Sequence, residues 1–314
     1  MTKFFDIPDD EKQIRRAKVR EWLMQPNNNF CSLPYAHMAI EANGAIRPCC
    51  MGKPLDANIS GGTIADAFTS KVRSEFVDSF DRNEQHESCK TCWQDPLNKF
   101  NSRVKFSSND EMMPITEAVM NGEKPRRKLR WLEVKPGNRC NLKCRICGVH
   151  NSSQWTKDYH AMTEFMRHEM EGYTPTKFKD STEFEYTQSC EWIDQPQIWS
   201  DIKELDEITM IHFMGGEPLM VPEHLDFLQN LVDNPAIDTS NIFIRYNTNG
   251  TYRPTEENIK LWHNFHRIQL LVSIDDFGPR FEYQRKLAIW EEVKANLQYF
   301  KELAGNSFVK EKDV

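Results

Sequence analysis

Cysteine is the residue type that most clearly predicts chemistry in this sequence. Eight of the nine cysteines fall into two groups, which are Cys31, Cys49, Cys50, Cys89 and Cys92, and then Cys140, Cys144 and Cys147. Cys190 stands apart, and an isolated cysteine is more often a small buried apolar residue than a ligand. A reducing cytosol does not maintain a disulfide framework, so grouped cysteines in a chain without an apparent export signal favour metal ligation.

The second group has the spacing Cys-x3-Cys-x2-Cys, which lets three thiolates surround one compact metal centre. Structural zinc sites normally have four ligands, so three cysteines without a nearby fourth indicate a centre with one coordination position open. His150 lies close enough along the chain to supply a fourth ligand. A zinc site is therefore the alternative interpretation of this group.

Composition restricts the class of protein. The 314 residues include 40 basic and 47 acidic side chains, mixed along the chain, with a formal net charge of -7. This balance makes nucleic acid an unlikely partner. No run of apolar residues is long enough to span a membrane, and the amino terminus has no apolar signal core. We therefore expect a cytoplasmic protein without a membrane anchor.

The order of elements predicts an α/β protein. A charged helix at 10–24 precedes a hairpin at 37–48, whose turn is Asn43-Gly44, and a helix at 63–80. Strands then alternate with helices. The predicted strands are 129–134, 207–213, 242–246 and 268–274, and the predicted helices are 222–232, 256–265 and 290–300. This alternation is typical of a parallel sheet with helical crossovers, open or barrel-like.

The predicted domains follow this order. Residues 1–94 form a small α+β cysteine-rich domain with a β-hairpin, residues 95–128 form a polar linker, and residues 129–314 form the parallel-sheet domain with an insertion at about 151–197. Only four strands are predicted before the sequence stops, although Asn306-Ser-Phe-Val309 could open a fifth. Exposed sheet edges are a hazard, so we expect the edge of a four-stranded sheet to associate with a partner or to be covered by the amino-terminal domain.

Four motifs resemble those of the radical S-adenosylmethionine (SAM) superfamily. They are the triad Cys140-Asn-Leu-Lys-Cys144-Arg-Ile-Cys147, then Met214-Gly-Gly-Glu217-Pro218, Asn247-Thr-Asn249-Gly250, and Ser273-Ile-Asp275 with Arg285 beyond it. Each later motif follows a predicted strand, as sites at the carboxyl ends of parallel strands require. The resemblance implies a partial (β/α) TIM-like barrel of the radical SAM type. Because such barrels usually have six strands, the four predicted strands would mean a truncated chain, an unusually open barrel or a barrel completed by a partner.

The resemblance also implies cofactors and residue roles. Cys140, Cys144 and Cys147 would hold a 4Fe-4S cluster that binds SAM, and reductive cleavage of SAM would give a 5'-deoxyadenosyl radical. Gly215 and Gly216 would let the backbone approach the ligand. The cofactor's amino group would pair with Glu217 and its carboxylate with Ser273 and Arg285, and Asn249 is a further cofactor-binding candidate. An electron donor such as flavodoxin or ferredoxin would supply the cluster.

The first cysteine group resembles the SPASM domain in its shortened form, called twitch. The resemblance implies one auxiliary 4Fe-4S cluster with four ligands, which are Cys31, Cys49, Cys89 and Cys92. Cys50 would be a neighbour of the cluster or a substitute for one of these ligands. A four-cysteine zinc knuckle is the alternative, since spacing does not identify the metal. In the family this module usually follows the barrel, whereas here it comes first.

The expected function is hydrogen abstraction from a substrate, and relatives with an auxiliary cluster favour a peptide or protein side chain. The alternatives are radical dehydrogenation of a small molecule and a zinc-stabilised binding module without catalysis. Four residues are candidate acids or bases by position, with no role assigned to any of them: Asp275, Asp276, His150 and His212.

Overall fold

The computed structural model of the protein describes residues 9–93, 102–169, 191–200 and 205–304. Its strands are β1 (His37–Ile40), β2 (Ile46–Arg47), β3 (Trp131–Val134), β4 (Lys143–Cys144), β5 (Met210–Phe213), β6 (Phe243–Thr248), β7 (Arg267–Val272) and β8 (Arg285–Lys286). Its α-helices are α1 (Asp9–Leu23), α2 (Leu33–Ala36), α3 (Ile64–Thr69), α4 (Lys71–Asp81), α5 (Lys90–Trp93), α6 (Ser102–Ser107), α7 (Met113–Met120), α8 (Thr156–Glu169), α9 (Pro196–Ser200), α10 (Glu223–Asp233), α11 (Glu256–Trp262), α12 (Gly278–Gln284) and α13 (Trp290–Leu303).

The central element is a six-stranded sheet in the order β2-β1-β3-β5-β6-β7. Every neighbouring pair from β1 to β7 is parallel, and β2 is antiparallel to β1. This confirms the α/β class and the four predicted strands, with α10 and α11 as helical crossovers. Within the described residues the sheet is open between β2 and β7, so a TIM-like barrel stays a prediction. The predicted strand at 306–309 and Cys190 lie outside the described residues.

The amino-terminal hairpin belongs to this same sheet. Gly44 has a φ of +80° in the turn between β1 and β2, a conformation that favours glycine. Strand β1 pairs in parallel with β3, with His37 opposite Trp131 and Ile40 opposite Val134. Every residue of β1 is buried, as expected for a strand inside a sheet. The hairpin predicted from the sequence is thus confirmed, and it extends the sheet formed by the second half of the chain.

Two elements differ in form from their predictions. The helix predicted at 63–80 is divided into α3 and α4 at Ser70, whose side chain accepts a hydrogen bond from the backbone of Arg73 and so caps α4. The segment treated as a linker contains α6 and α7, which pack beside α1. An ion pair joins Arg15 to Glu117 in this contact. Apolar residues on α1, α6 and α7 belong to one core cluster. Burial of these residues explains why the otherwise polar segment that contains α6 and α7 folds against α1.

The sheet has two buried faces. Leu132, Ile211 and Ile244 pack against α10 and α11 in the larger core cluster. Side chains alternate along a strand, so the neighbouring residues Glu133, His212 and Arg245 lie on the opposite face, which we call the inner face. Helices α1, α6 and α7 cover the amino-terminal end of the inner face. Among the described helices, none combines the length and apolar character needed to cross a membrane.

Candidate functional site

The loop that carries the Cys-x3-Cys-x2-Cys triad follows β3 directly. Cys140 and Cys144 are buried in an apolar cluster with Leu142, Phe281 and Val293. Within the loop, the backbone N–H of Leu142 donates to Cys140 Sγ at 3.4 Å. Strand β4, which contains Cys144, pairs with β8, so two short strands fix the middle of the triad. The loop is therefore held in place by contacts that do not depend on a bound group.

Gly215 and Gly216 pack against the backbone just before the triad. Gly215 has a φ of +113°, and a Cβ atom on Gly216 would lie 2.2 Å from the carbonyl oxygen of Arg139. That oxygen accepts a hydrogen bond from the backbone N–H of Glu217 at 2.8 Å. The two glycines thus bring the end of β5 into contact with the cysteine loop, a structural role that the sequence analysis did not include.

Glu217 is fully buried and holds the ends of two strands together. Its Oε1 accepts from the Thr248 hydroxyl at 2.9 Å and from the Leu219 backbone at 3.2 Å, and its Oε2 accepts from the Asn249 backbone at 2.7 Å. Burial raises the pKa of Glu217 to about 7, although the three hydrogen bonds oppose that shift. Glu217 therefore titrates near neutral pH and can pair with a cation once it is ionised.

Asn249 links the end of β6 to the triad. Its side-chain nitrogen lies 3.8 Å from Cys140 Sγ and 2.9 Å from the Asn141 side-chain oxygen. Hydrogen bonds to a ligand sulfur are among the interactions by which a protein adjusts an iron–sulfur cluster. Asn249, Glu217 and Cys140 are thereby brought together, as their motifs predicted.

Arg285 lies on the other side of the triad. It is buried, its Nη1 lies 3.8 Å from Cys144 Sγ, and its Nε pairs with Asp275 Oδ2 at 2.8 Å. Ser273 continues from β7, and its backbone N–H donates to the Thr248 carbonyl. The structure therefore places Arg285 beside the triad and Ser273 beside the end of β6, where each faces the strand ends that carry the other motifs.

The thiols of Cys144 and Cys147 form a hydrogen-bonded pair. This bond raises the pKa of Cys144, and it lowers the pKa of Cys147 to about 7. Thiolates, not thiols, are the metal ligands. The triad thus contains a cysteine that loses its proton readily, beside the positive charge of Arg285.

The first cysteine group forms a separate site. Cys31, Cys49, Cys89 and Cys92 all line one cavity, whereas Cys50 is exposed and lies outside its lining. Burial and the neighbouring thiols raise the pKa of Cys31 to about 11 and of Cys49 to about 12. In the described part of the chain no three Cys, His, Asp or Glu side chains are arranged around a single metal ion. The four thiols instead surround a space.

Arg103 of α6 lines the same cavity, and the sequence analysis missed it. Its two terminal nitrogens donate to the carbonyls of Phe30 and Leu23, while its buried Nε has no hydrogen-bond partner among the described residues. A guanidinium beside four sulfurs suits a negatively charged cluster, since it offsets the charge of the thiolates. The donor set and this orphaned nitrogen fit an iron–sulfur group.

The four candidate acids and bases have different surroundings. Asp275 pairs with Arg285, and Asp276 pairs with Arg280 on the following helix. The ring of His150 packs against Gly148, next to Cys147. His212 is on the inner face, where its Nε2 lies 2.9 Å from Asn247 Oδ1. Of the four, His212 is the one that points into the interior of the sheet.

Comparison with known families matches both cysteine sites. The sequence model of the Radical SAM superfamily matches residues 134–310, more than half of the 314 residues, and that of the SPASM iron-sulfur cluster-binding domain matches residues 31–93. Comparison with curated proteins and with solved structures gives no match. The families imply a 4Fe-4S cluster with SAM and an auxiliary iron–sulfur site. The chain belongs to the Radical SAM superfamily and carries its SPASM domain ahead of the radical SAM region.

Proposed function

We propose that the protein is an oxidoreductase-type radical SAM enzyme that abstracts hydrogen from a peptide or protein side chain. One observation carries this proposal: the two cysteine sites are attached to two strands of one sheet, β2 and β3, which are separated only by β1. The triad loop follows β3, and Cys49 follows the hairpin strand β2, which joins β3 through β1. A substrate on the inner face would thus have access to both sites.

The triad site binds and orients the cofactor. Cys140, Cys144 and Cys147 hold a 4Fe-4S cluster, which supplies the electron that converts bound SAM into a hydrogen-abstracting radical. Glu217 pairs with the amino group of SAM once its own carboxyl group is ionised. Arg285, already next to Cys144, and Ser273 bind the carboxylate.

The auxiliary site is formed by Cys31, Cys49, Cys89 and Cys92 and holds a second 4Fe-4S cluster. Its cavity is also lined by Trp93 and Phe106, which limit access of water. Such a site can accept the electron that a substrate radical loses when it becomes a product. Cys50 is exposed and does not line this cavity, so it is not a ligand in this proposal.

The inner face suits a polar substrate. At the carboxyl end of the sheet, Glu41 pairs with Lys135 at 2.7 Å and with Arg47 at 3.0 Å. On β6, Arg245 donates to Gln269 at 2.7 Å. These groups of both signs are paired with one another, and the amide and side-chain groups of a peptide would offer them replacement hydrogen bonds that an apolar substrate would not.

The substrate class is tested by isotope transfer. An extract of cells grown in heavy water is separated by ultrafiltration, and each fraction is incubated with the reconstituted enzyme, SAM and dithionite. Deuterium in 5'-deoxyadenosine reports abstraction from a molecule in that fraction. We expect label from the macromolecular or peptide fraction and none with a Cys140→Ala control. Label from the small-molecule fraction alone contradicts the peptide proposal and supports a small-molecule dehydrogenase.

A further inference from the structure

A row of buried polar side chains crosses four strands of the inner face. Glu133 on β3 lies between two imidazoles: its Oε2 is 3.4 Å from His37 Nε2, and its Oε1 is 3.6 Å from His212 Nδ1. Asn247 on β6 continues the row from the other nitrogen of His212. The side chains of His37, Glu133 and His212 are all at least nine-tenths buried. Buried charged groups of this kind are rare without a partner or a function.

The hydrogen bond of His37 fixes where its proton lies. Nδ1 of His37 is 2.9 Å from the carbonyl oxygen of Pro48, which can only accept, so Nδ1 carries a proton. In a neutral ring Nε2 is then a bare acceptor that faces the carboxylate of Glu133. The two acceptors are 3.4 Å apart, so a proton on this nitrogen would be stabilised by the carboxylate. The contact is therefore a place where a proton can be held.

His212 repeats this arrangement on the other side of Glu133. With Asn247 presenting Oδ1, Nε2 of His212 is the donor, and Nδ1 faces Glu133. Nδ1 is buried and has no hydrogen-bond partner among the described residues. Burial opposes ionisation of Glu133, but the neighbouring imidazoles of His212 and His37 lower its pKa well below the usual range. The carboxylate is thus ionised and can stabilise a proton on either ring.

A third buried histidine of the same sheet region shows that this pattern is unusual. On the opposite face, His224 is bound at both nitrogens, with Nδ1 on the Val221 carbonyl and Nε2 3.0 Å from the Tyr246 hydroxyl. Burial lowers the pKa of His224 to about 4, so it remains neutral. Both ring nitrogens of His224 have hydrogen-bond partners, which indicates a structural role. In His212, one ring nitrogen has no hydrogen-bond partner among the described residues.

The row connects the two cysteine sites. Pro48, which accepts the bond from His37, immediately precedes Cys49 of the auxiliary site. At the other end, Asn247 is two residues from Asn249, about 7 Å along the strand, and Asn249 contacts Cys140. His212 is therefore buried on the inner face of the sheet, between the site that would start the reaction and the site that would accept the electron.

We propose that His212 is the acid–base residue that exchanges a proton with the substrate, with Glu133 as its positioning carboxylate and His37 as the second imidazole of the same proton site. The inference rests on the proposed function. In that reaction the substrate C–H bond breaks, and the hydrogen atom goes to the 5'-deoxyadenosyl radical. The substrate radical would then become product by losing an electron to the auxiliary cluster and a proton to the site that His212 shares with Glu133.

Other charged groups face this row and contribute to its protonation. Arg245 is the strand partner of His212, and Lys135, Glu41 and Arg47 lie at the carboxyl end of β1 to β3. The thiol of Cys50 is partly desolvated although the residue as a whole is exposed, and this desolvation and then the charge of Glu133 raise its pKa. Before α7, Glu111 is buried beside Arg245, and its pKa is raised by burial. A change at Glu133 is therefore the most direct perturbation of the two imidazoles.

The test needs no substrate. Full-length protein with its clusters reconstituted is incubated in heavy water at a series of pH values, and deuterium at the C2 carbon of each histidine is measured by mass spectrometry. The rate of this exchange reports the protonation of each ring. The variants are Glu133→Gln, Glu133→Asp, and the control Glu207→Gln, a surface ion-pair residue next to β5.

We expect Glu133→Gln to weaken proton binding at His37 and His212 about tenfold, as the loss of an adjacent carboxylate implies. Glu133→Asp and Glu207→Gln should leave both near the wild-type midpoint, and His224 should not change in any variant. Unchanged midpoints at His37 and His212 in Glu133→Gln overturn the proposal. Cleavage of SAM by the same wild-type sample is measured separately, so failure of the proposed function is recognised independently.

Access from the interior is tested with diethyl pyrocarbonate, which modifies unprotonated imidazole nitrogens. The exposed His263 is the positive control, and His224 is the buried control. Modification of His212 before His224 is expected, because Nδ1 of His212 has no hydrogen-bond partner in the described part of the chain. Equal resistance of His212 and His224 would show a purely structural histidine and overturn the proposal.

Discussion

Gly216 lies directly against Arg139, the residue that precedes the first cysteine of the triad. A Cβ atom at position 216 would come within 2.2 Å of the Arg139 carbonyl oxygen, and the backbone of Glu217 bonds to that same oxygen. The cofactor motif at the end of β5 and the cysteine loop are thus one packed unit. Displacement of either should affect both cluster binding and cofactor binding.

Gly216→Ala is therefore expected to move the cysteine loop. The cost of forcing an extra methyl group into packed backbone is about 1–3 kcal/mol. We expect a loss of iron after reconstitution and at least about a tenfold lower rate of SAM cleavage, in line with that cost. Gly62→Ala is the matched control, because its Cβ would meet only ordinary contacts at 3.6 Å. Normal iron content and cleavage in Gly216→Ala would contradict the packing argument.

Glu217 predicts a pH dependence of stability. Burial raises its pKa to about 7 in the folded protein, from its ordinary value of 4.5. Between these values the folded state binds more protons than the unfolded state, so the free energy of unfolding falls as pH rises from 4.5 to 7, by up to about 3 kcal/mol.

Glu217→Gln removes this titration. Relative to the wild-type protein, the variant should become steadily more stable as pH rises through that window, and the difference should be constant above it. Urea unfolding at several pH values measures the effect. Parallel pH dependence in the two proteins would show that burial does not raise the pKa of Glu217 above its value in the unfolded chain.

The auxiliary site distinguishes Cys31 from Cys50. Cys31 lines the cavity shared by the four thiols, whereas Cys50 is exposed. We expect Cys31→Ser to lose about half of the roughly eight irons of two 4Fe-4S clusters, and Cys50→Ser to retain them all. Iron and sulfide analysis with Mössbauer spectroscopy makes the comparison. Equal loss from both variants would make Cys50 a ligand.

Leu287, two residues after Arg285, has a φ of +79°, which is unfavourable for a residue with a branched side chain. Its side chain is 57% exposed, so little apolar burial depends on it. Leu287→Gly should raise the free energy of unfolding by about 0.5–1 kcal/mol, the relief of strain less the added chain entropy. Leu271→Gly, at an exposed position within β7, should instead lower it. Thermal denaturation compares the two variants. Destabilisation by both changes would show that the backbone at Leu287 is not strained.

The strands and the triad site were predictable because their signals are local. Each parallel strand is a short apolar run, and each motif follows its strand directly, so the carboxyl ends of β3, β5, β6 and β7 had to bring the motifs together. The two helices in the segment 102–120 were missed, and Arg103 with them. Their packing depends on α1, about 90 residues earlier in the chain.

The pairing of β1 with β3 could not be predicted from the sequence either. The Asn43-Gly44 turn predicts a hairpin, but no local pattern predicts which other strand the hairpin will pair with. The row of His37, Glu133, His212 and Asn247 exists only because of that pairing. His212 was a candidate by position, whereas its carboxylate partner required the register of three strands.

Cleavage of SAM under anaerobic conditions tests the central claim most directly. The protein is reconstituted with iron and sulfide, treated with dithionite and SAM, and analysed by chromatography for 5'-deoxyadenosine, beside a variant with alanine at Cys140, Cys144 and Cys147. We predict 5'-deoxyadenosine from the wild-type protein and none from the triple variant. Zinc in place of iron, with no cleavage by the wild-type protein, would contradict the radical mechanism and favour a binding module.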